Sequence, residues 1–473
     1  MAHLYLELAN ELAHTIDQGT YRPGERLPGV RITSNRRGVS VATVVAAYRH
    51  LESAGYIESR PRSGFVVKQR HSTRLPAPAT TKPPATPKPV TGKDMILQLA
   101  QMSRQPDIVS FGAAVPHQHY LPNQLVAKTL MSVTRQHRRK LCDYDFPWGE
   151  IPLAAQVAKR LAAAGCIVDS EDIVITNGCQ EAVFLSLRTV TQPGDIVAVE
   201  SPTYYGLLQA IDVLGLKALE IPTDPQQGIS LSALQLAFEQ WPIKACVVIP
   251  NFHNPLGYVM ADHNKRALVE LATQHDVTLI EDDIYGELSF DHRRPRLLQS
   301  FDKKGVVMHC ASVSKTLAPG LRMGWIVSKK HAGKLRYQKF VNNCATAALN
   351  QLAVAQIMES GRYDRHLRSM RLLLAQAVNR MIDRIGRYFP EGIKITQPQG
   401  GYVLWLELPK VVDGDELAQR ALQQGISIAA GSLFTPSKKY RHCIRLNSAI
   451  EWNDQTDQAL MRLGEMTKGL LTP

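Results

Sequence analysis

The chain has 473 residues, too many for one ordinary domain of roughly 100 to 200 residues, so at least two folded units are expected. Its 44% apolar and 21% charged content is typical of a globular protein, and no apolar run approaches the roughly 18 residues of a membrane span. A formal charge of +13 raises the question of a polyanionic partner. The N-terminal segment lacks signal-peptide features and the seven cysteines contain no C-x-x-C pair, so we expect a cytoplasmic protein with reduced thiols and without a zinc cluster.

The first 70 residues predict three helices and a hairpin. Leu or Ile at positions 4, 8, 12 and 16 gives the first helix an apolar stripe that ends at Gly19. A second helix is expected over Val30–Arg37, and a third between the N-cap Ser40 and Gly55. Two short strands flank the basic turn RPRSG and cover residues 56–59 and 65–67. This order is typical of a winged helix-turn-helix, an α+β domain whose third helix enters the major groove of DNA.

The same segment resembles the DNA-binding domain of GntR-type transcription regulators over residues 3–67. The resemblance rests on GTYRPGERLP, on GVS at the start of the third helix and on SG in the hairpin. It implies DNA contacts from Arg31, Ser40, Thr43, Arg60, Arg62 and Gly64. Since Val41 and Val45 stand where many relatives have basic side chains, we expect base readout through thymine methyl groups, with affinity from the hairpin and from Arg36, Arg37 and Arg49. Alternatively, these basic residues only solvate a small interaction domain.

Residues 71–93 are rich in Pro, Thr, Ala and Lys and have no apolar periodicity. Proline fixes φ and removes a hydrogen-bond donor, so an extended, semi-rigid linker is predicted here. A long loop inside one domain is the alternative. The resulting division is a DNA-binding domain at 1–70, a linker at 71–93 and a second domain at 94–473.

From residue 172 onward, apolar runs of strand length alternate with helical segments. The runs are IVIT, IVAVE, ACVVIP, VTLIEDD, VVMHCAS and GWIVS. They predict an α/β domain with a largely parallel sheet that is buried on both faces. Polar residues follow these strands, at the carboxyl ends where such sheets bind ligands.

Three polar clusters follow the strands. Lys315 follows VVMHCAS and Arg322 lies seven residues later; a poorly solvated lysine near cations has a lowered pKa and can form a Schiff base with an aldehyde. Asp282 ends VTLIEDD and Tyr285 follows it, and these side chains can bind a pyridinium nitrogen and the ring's 3-oxygen. The third cluster opens a helix, where backbone N–H groups can bind phosphate, and comprises Gly178, Cys179 and Gln180. A lone lysine would be read as a solvated charge, but the three clusters together favour pyridoxal phosphate.

These clusters resemble fold-type I pyridoxal-phosphate enzymes, in particular class I aminotransferases, over roughly residues 95–470. The resemblance implies Lys315 as the cofactor-binding lysine and Asp282 as the partner of the pyridinium nitrogen. It also implies Tyr285 and Asn254 at the 3-oxygen and Tyr204 stacked on the ring. The implied phosphate-binding residues are Gly178, Cys179, Gln180, Ser312, Ser314 and Arg322.

Two further residues are implied by this resemblance. Arg445 of CIRLNSA is similar to the arginine that binds a substrate α-carboxylate, and Tyr144 of CDYDFPWGE is similar to a tyrosine that reaches the phosphate of the neighbouring subunit, which implies a homodimer. Two departures concern Cys179, where the family has a small hydroxyl residue, and Leu256, which replaces a threonine. His253 is expected to be structural, with a substrate contact as the alternative.

A GntR-like winged helix joined by a linker to an aminotransferase-like domain is the arrangement of the MocR regulators. The resemblance implies a pyridoxal-phosphate-dependent transcription regulator that binds operator DNA and senses the cofactor, a small amino compound or both. One alternative is a working aminotransferase with an accessory DNA-binding domain. Another is a large domain that serves only for dimerisation, which would leave Lys315 without a role.

Overall fold

The structure is a computed structural model that describes residues 2–17, 20–53, 55–60, 64–68, 75–90, 101, 105, 107–144, 149–291, 293–437 and 439–471. Within these ranges, no helix is long and apolar enough to cross a membrane. The predicted end of the first helix at Gly19 and the DNA contact Arg62 lie outside the described residues.

The N-terminal domain has the predicted order of elements. They are α1 Ala2–Asp17, α2 Val30–Arg37, α3 Val41–Ser53, β1 Ile57–Arg60 and β2 Gly64–Val67, with β1 and β2 antiparallel. The Ser40 hydroxyl accepts the N–H of Thr43 at 3.1 Å, so Ser40 caps α3 as predicted. Gly55 follows the helix at φ +75, a left-handed conformation suited to glycine.

Tyr48 holds this small domain together. Its side chain is completely buried, and its hydroxyl donates to the Pro28 carbonyl at 2.7 Å and lies 2.8 Å from the Thr33 hydroxyl. The ring packs edge-on against Phe65 at a centroid distance of 5.1 Å. Because these contacts join α2, α3 and the hairpin, the exposed side of α3 has a fixed orientation.

Outside this small domain, the described residues form strands in three sheets. These strands are β3 Lys88–Pro89, β4 Val109–Ser110, β5 Ile173–Thr176, β6 Ile196–Ser201, β7 Lys217–Asp224, β8 Gly228–Ile229, β9 Ile243–Val248, β10 Thr278–Asp282, β11 Val307–Ser312, β12 Gly324–Val327, β13 Lys394–Ile395, β14 Val403–Glu407, β15 Ile426–Ser427, β16 Ala429–Ala430 and β17 Cys443–Asn447. The largest sheet has nine strands in the order β3-β7-β6-β9-β10-β11-β12-β5, with β8 paired to β7. The neighbours from β7 to β11 are parallel, whereas β12 is antiparallel to both β11 and β5, so the predicted largely parallel sheet is confirmed.

The α-helices of this domain surround the sheets. They are α4 Asn123–Gln136, α5 Ile151–Ala163, α6 Cys179–Val190, α7 Tyr205–Val213, α8 Leu231–Gln240, α9 Asp262–Gln274, α10 Ala332–Asn343, α11 Ala348–Glu359, α12 Arg362–Tyr388, α13 Gly414–Gln423 and α14 Asp454–Gly469. Helix α6 packs on β10, β11 and β12, which places its N-terminus at the carboxyl end of the sheet. A second, antiparallel sheet with the order β13-β14-β17-β16 shares an apolar core with α12 and α14.

Residues 75–90, which we call the strap, belong to the predicted linker. They are extended as predicted, but they are attached to the large domain along their length. Strand β3 pairs with β7 of the nine-stranded sheet, and the Pro76 carbonyl accepts the N–H of Ile395 in the second sheet at 2.9 Å. The predicted linker is therefore attached to the large domain over these residues, because its backbone groups find partners on both sheets.

Candidate functional site

A cationic cradle lies at the N-terminus of α6. Gly178 precedes the helix at φ +96, and a Cβ at this position would lie 2.7 Å from the guanidinium of Arg322. Arg322 has φ +54, and its Nη2 donates to the Asn177 carbonyl at 2.8 Å. The positive φ at 178 favours glycine, and this residue places an arginine beside the first turn of a helix, which is an arrangement that binds phosphate.

The other residues expected at the phosphate lie around this cradle in different roles. Ser312 ends β11, and its hydroxyl accepts the N–H of Ser314 at 3.3 Å, while both side chains are 6% exposed. The Gln180 side chain donates to the Gly206 carbonyl at 2.7 Å. Gln180 thus supports the turn that carries Tyr204, and its side chain is engaged away from the cradle.

Lys315 lies in the turn after β11, where its Nζ donates to the Ala114 carbonyl at 2.8 Å. Burial lowers its pKa to about 8, with Arg445 and Arg322 acting in the same direction and Asp282 opposing them. The cause is the one expected from the sequence, since loss of solvent and nearby cations both disfavour the ammonium form. A lysine with this pKa has a substantial neutral, nucleophilic fraction near neutral pH.

Asp282, the last residue of β10, faces the same space and is 8% exposed. Its Oδ1 accepts the N–H of Ile284 and the thiol of Cys179, each at 3.2 Å. Burial is the main reason why its pKa is raised to about 6, and the two hydrogen bonds oppose that rise. The resemblance implied that Cys179 lies at the phosphate, whereas its side chain contacts Asp282.

Asn254 connects two side chains of the predicted site. Its Nδ2 donates to the Tyr285 hydroxyl at 3.5 Å, and its Oδ1 accepts from Nη1 of Arg445 at 3.2 Å. The Tyr285 ring packs edge-on against Tyr402 at 5.4 Å, and burial raises the pKa of the Tyr285 phenol. The phenol therefore stays protonated and can donate to an anionic oxygen.

Arg445 lies on β17 and is completely buried. Its guanidinium carbon is 5.2 Å from the ring centre of Phe434 and 5.8 Å from that of Tyr205, and its Nη2 donates to the Gly112 carbonyl. Its Nε is buried and has no hydrogen-bond partner among the residues that the structure describes. A buried cation with an unused donor is costly, and a carboxylate ligand would remove that cost.

Three remaining predictions concern aromatic and imidazole side chains. Tyr204 lies near Asp282 and Tyr285, and burial raises its phenol pKa well above the ordinary value. Tyr144 is 72% exposed and is not part of the buried cluster. His253 is completely buried, 3.1 Å from a Glu200 carboxylate oxygen, which fits the expected structural role.

The expected DNA-binding side chains lie on the surface of the winged helix. Arg31, Arg36 and Arg49 are exposed, as are Ser40 and Gly64, and Thr43 is partly exposed. Arg37 pairs with Glu11 at 2.5 Å and Arg60 pairs with Glu58 at 2.6 Å. Both pairs are exposed, so they are weak enough for phosphate to compete for the arginines.

Two family models match the chain, one for each domain. Residues 4–67 match the bacterial regulatory proteins of the gntR family, and residues 128–463 match aminotransferase class I and II. The uncharacterized HTH-type transcriptional regulator YjiR of Escherichia coli is 41% identical over 98% of each chain. The chain is a MocR-type regulator of the GntR family.

Solved structures similar to this regulator are aminotransferases. A kynurenine aminotransferase of Pyrococcus horikoshii has 28% identity and a TM-score of 0.76, covering 81% of this chain and 96% of its own. The α-aminoadipate aminotransferase LysN of Thermus thermophilus has 27% identity and a TM-score of 0.74, covering 80% and 95%. The large domain of the regulator therefore has the fold of a fold-type I aminotransferase.

Sequence reasoning missed part of the regulator's site. The carbonyls of Gly112 and Ala114 hold Arg445 and Lys315, and Tyr402 donates to the Ala114 carbonyl at 3.1 Å. Backbone carbonyls leave no side-chain signal, and Tyr402 sits in a GGY run that resembles an ordinary strand start. The site therefore depends on segment 111–115, which sequence motifs did not indicate.

Proposed function

We propose that this regulator binds pyridoxal phosphate at Lys315 and senses an amino compound that carries a carboxylate, and that the occupied site changes its affinity for operator DNA. The observation that carries this proposal is Arg445, a buried guanidinium whose Nε has no partner among the described residues. It lowers the pKa of Lys315, so the two charges lie near each other. The amine of Lys315 would react with the aldehyde of pyridoxal phosphate, and Arg445 would pair with the carboxylate of the amino compound.

The residues present fit the cofactor at each of its ends. Gly178 and Arg322 provide a cradle for the phosphate, and Asp282 provides a carboxylate for the ring nitrogen. Asn254 and Tyr285 provide donors for the ring's 3-oxygen. When bound there, pyridoxal phosphate supplies an aldehyde that condenses with primary amines.

The protein's own groups have separate tasks in ligand recognition. Lys315 would supply the amine that condenses with the cofactor's aldehyde, with loss of water. Burial lowers its pKa to about 8, so part of the lysine is already neutral near pH 7. Arg445 orients a carboxylate with two parallel N–H groups, and the aromatic rings of Phe434 and Tyr205 keep water away from that pair. A compound that lacks either the amine or the carboxylate would make only one of these two interactions.

Binding to operator DNA is assigned to the winged helix. The exposed Arg31, Arg36 and Arg49 can neutralise phosphates, and this releases counterions. Val41, at the start of α3, is 48% exposed and can contact thymine methyl groups. One winged helix covers one half-site, so two copies are needed for tight binding.

A homodimer is part of the proposal. Large apolar side chains are exposed on and next to α4 and α5: Met131, Leu141, Tyr144 and Ile151 are 55%, 60%, 72% and 76% exposed. Such a group of exposed apolar residues is typical of a protein interface. The resemblance implies that Tyr144 reaches the phosphate of the partner subunit, which would make the cofactor site depend on dimerisation.

The strap supports a route from the site to the DNA-binding domain. Thr81 donates from its hydroxyl to the Ser201 carbonyl at 2.7 Å and accepts the N–H of Thr223 at 2.9 Å. Ser201 ends β6, only three residues before Tyr204, while the Pro76 end of the strap is attached to the second sheet, which also carries Arg445. A ligand that draws the two sheets together would therefore move the strap, and a differential affinity of about 1 to 3 kcal/mol would suffice for regulation.

Turnover is the second candidate function. The observation in its favour is that Lys315, Asp282 and Arg445 lie together with the pKa values of a reactive site. Aminotransferase relatives, such as the 2-aminoadipate transaminase of Thermus thermophilus at 28% identity over 80% of this chain, add to it.

One experiment separates the two functions. The full-length protein with pyridoxal phosphate is assayed for transamination with a panel of amino acids and α-ketoglutarate, and for binding to its own upstream DNA. The proposal predicts specific DNA binding and turnover well below about 1 per second. Turnover at or above that rate, with DNA binding that ignores cofactor and amino acids, would favour the enzyme.

A further inference from the structure

The thiol of Cys179 is directed at a carboxylate. Its Sγ lies 3.2 Å from Oδ1 of Asp282, and the two residues are 4% and 8% exposed. Cys179 is the first residue of α6 and Asp282 is the last residue of β10, on which that helix packs. The contact therefore joins two regular elements and does not depend on a loop.

The direction of this hydrogen bond follows from the chemistry of the two groups. Burial and the nearby Asp282 raise the pKa of the Cys179 thiol well above its ordinary value, so the sulfur keeps its proton. An ionised carboxylate can only accept. The thiol is therefore the donor, and its hydrogen bond favours the ionised form of Asp282.

The two oxygens of Asp282 have different surroundings. Oδ1 accepts from Cys179 and from the N–H of Ile284, both at 3.2 Å. For Oδ2, the described part of the chain provides no such donor. Two donors on one oxygen fix the plane of the carboxylate and leave the other oxygen available for a ligand.

Ionisation of Asp282 needs this support because its surroundings oppose it. Burial and the neighbouring Asp283 favour the neutral acid, whereas the Cys179 and Ile284 hydrogen bonds favour the carboxylate. Of these two donors, only Cys179 is a side chain. It can therefore be replaced without disturbing the backbone of β10.

We propose that Cys179 is a positioning residue for Asp282: its thiol keeps the carboxylate ionised and oriented so that Oδ2 can pair with the ring nitrogen of pyridoxal phosphate. The inference rests on the proposed cofactor site and adds a role at the nitrogen end of the ring. This role differs from the one that the resemblance implied for Cys179, which was a contact with the cofactor phosphate at a position where the family has a small hydroxyl residue.

Binding of two ligands to the full-length protein tests this role: pyridoxal phosphate and its 1-deaza analogue, in which carbon replaces the ring nitrogen. We expect Cys179→Ala to weaken pyridoxal phosphate by about 3- to 10-fold, the effect of one hydrogen bond, and the analogue by less than about 2-fold. Cys179→Ser should restore part of the selective affinity, because a hydroxyl can also donate. If Cys179→Ala lowers the affinity for both ligands equally, Cys179 acts at a part of the cofactor other than the ring nitrogen, and the proposal is overturned.

Cys246 offers a matched control. It is completely buried on β9 and pairs in register with Leu279 of β10, not with Asp282. Cys246→Ala removes a buried thiol of the same sheet, and the protein should discriminate between the two ligands as the wild type does. Loss of discrimination in this variant would show a general packing effect and contradict the assignment to Cys179.

A second readout needs no cofactor. The infrared S–H stretch of Cys179, isolated as the difference between the wild type and Cys179→Ala without ligand, should be shifted by hydrogen bonding to a carboxylate and should change when Asp282 is protonated. A stretch insensitive to Asp282→Asn would overturn the proposal. If the wild type binds neither ligand, the proposed cofactor site is wrong and this inference fails with it. If the wild type binds both ligands and Cys179→Ala loses the same affinity for each, only this inference is overturned.

Discussion

The winged helix and the cofactor site use positive charge in opposite ways. Arg31, Arg36 and Arg49 are exposed and can each approach a phosphate independently. Arg445 is completely buried, and Lys315 is held against a backbone carbonyl with a pKa lowered to about 8. Each exposed arginine should make a small, additive and salt-sensitive contribution to DNA affinity. Each buried charge should be indispensable for ligand binding at the cofactor site.

Lys315→Ala should give the largest effect, because nothing else among the described residues near Asp282 and Arg322 offers an amine in the same position. We expect complete loss of the visible absorption band of lysine-bound pyridoxal phosphate, with the cofactor removed by gel filtration. Lys330→Ala, which changes a lysine that is 48% exposed, is the matched control and should retain the band. A retained band in Lys315→Ala would contradict the assignment.

Arg445→Ala should come next. Loss of a buried, two-point contact to a carboxylate is expected to weaken an amino-acid effector by about 100-fold, and Arg445→Lys should recover little because an ammonium group cannot form the paired contact. Binding of bare operator DNA should be unchanged. Isothermal titration with an amino acid and with its decarboxylated amine measures the effect, and equal losses for both would show that Arg445 does not bind the carboxylate.

The lowered pKa of Lys315 predicts a pH profile. Only the neutral amine reacts, so the rate of pyridoxal phosphate incorporation should rise about tenfold between pH 7 and pH 9 and level off above the lysine pKa of about 8. An ordinary lysine, with a pKa of about 10.4, would give a rate that is still rising at pH 9. Stopped-flow absorbance distinguishes the two profiles.

Changes on the winged helix should be smaller. Arg31→Ala should weaken operator binding by about 5-fold and lower the salt dependence by about one counterion. Arg37→Ala should have less effect, because Arg37 already pairs with Glu11. Fluorescence anisotropy at several salt concentrations measures both variants, and an unchanged salt slope in Arg31→Ala would remove that residue from the interface.

Thr81→Val should have the smallest effect on cofactor binding and on DNA binding when each is measured separately. It removes the hydrogen bonds of the Thr81 hydroxyl with Ser201 and Thr223 while preserving side-chain volume and the backbone hydrogen bond to Thr223. We expect cofactor binding and bare DNA binding to be unchanged, and the effector-dependent change in DNA affinity to fall about 3-fold. An intact response would show that the strap does not couple the two domains.

Part of the cofactor site could be predicted from the sequence, and part could not. Lys315, Asp282 and Gly178 follow buried strands that are easily recognised from apolar runs, so their convergence at one edge of the sheet was predictable. Strand β7 was missed because polar side chains such as Glu220 are buried there, where Glu220 is satisfied by Ser201 and Thr435. The attachment of the strap and the contact of Cys179 with Asp282 depend on tertiary packing, which local sequence patterns do not encode.

The central claim is that occupancy of the buried site changes DNA binding. The most direct test measures operator affinity with and without pyridoxal phosphate and a carboxylate-bearing amino acid, in wild type, Lys315→Ala and Arg445→Ala. We predict a change of at least about 5-fold in wild type, corresponding to about 1 kcal/mol of coupling, and none in either variant. Identical operator affinity in all combinations would contradict the claim.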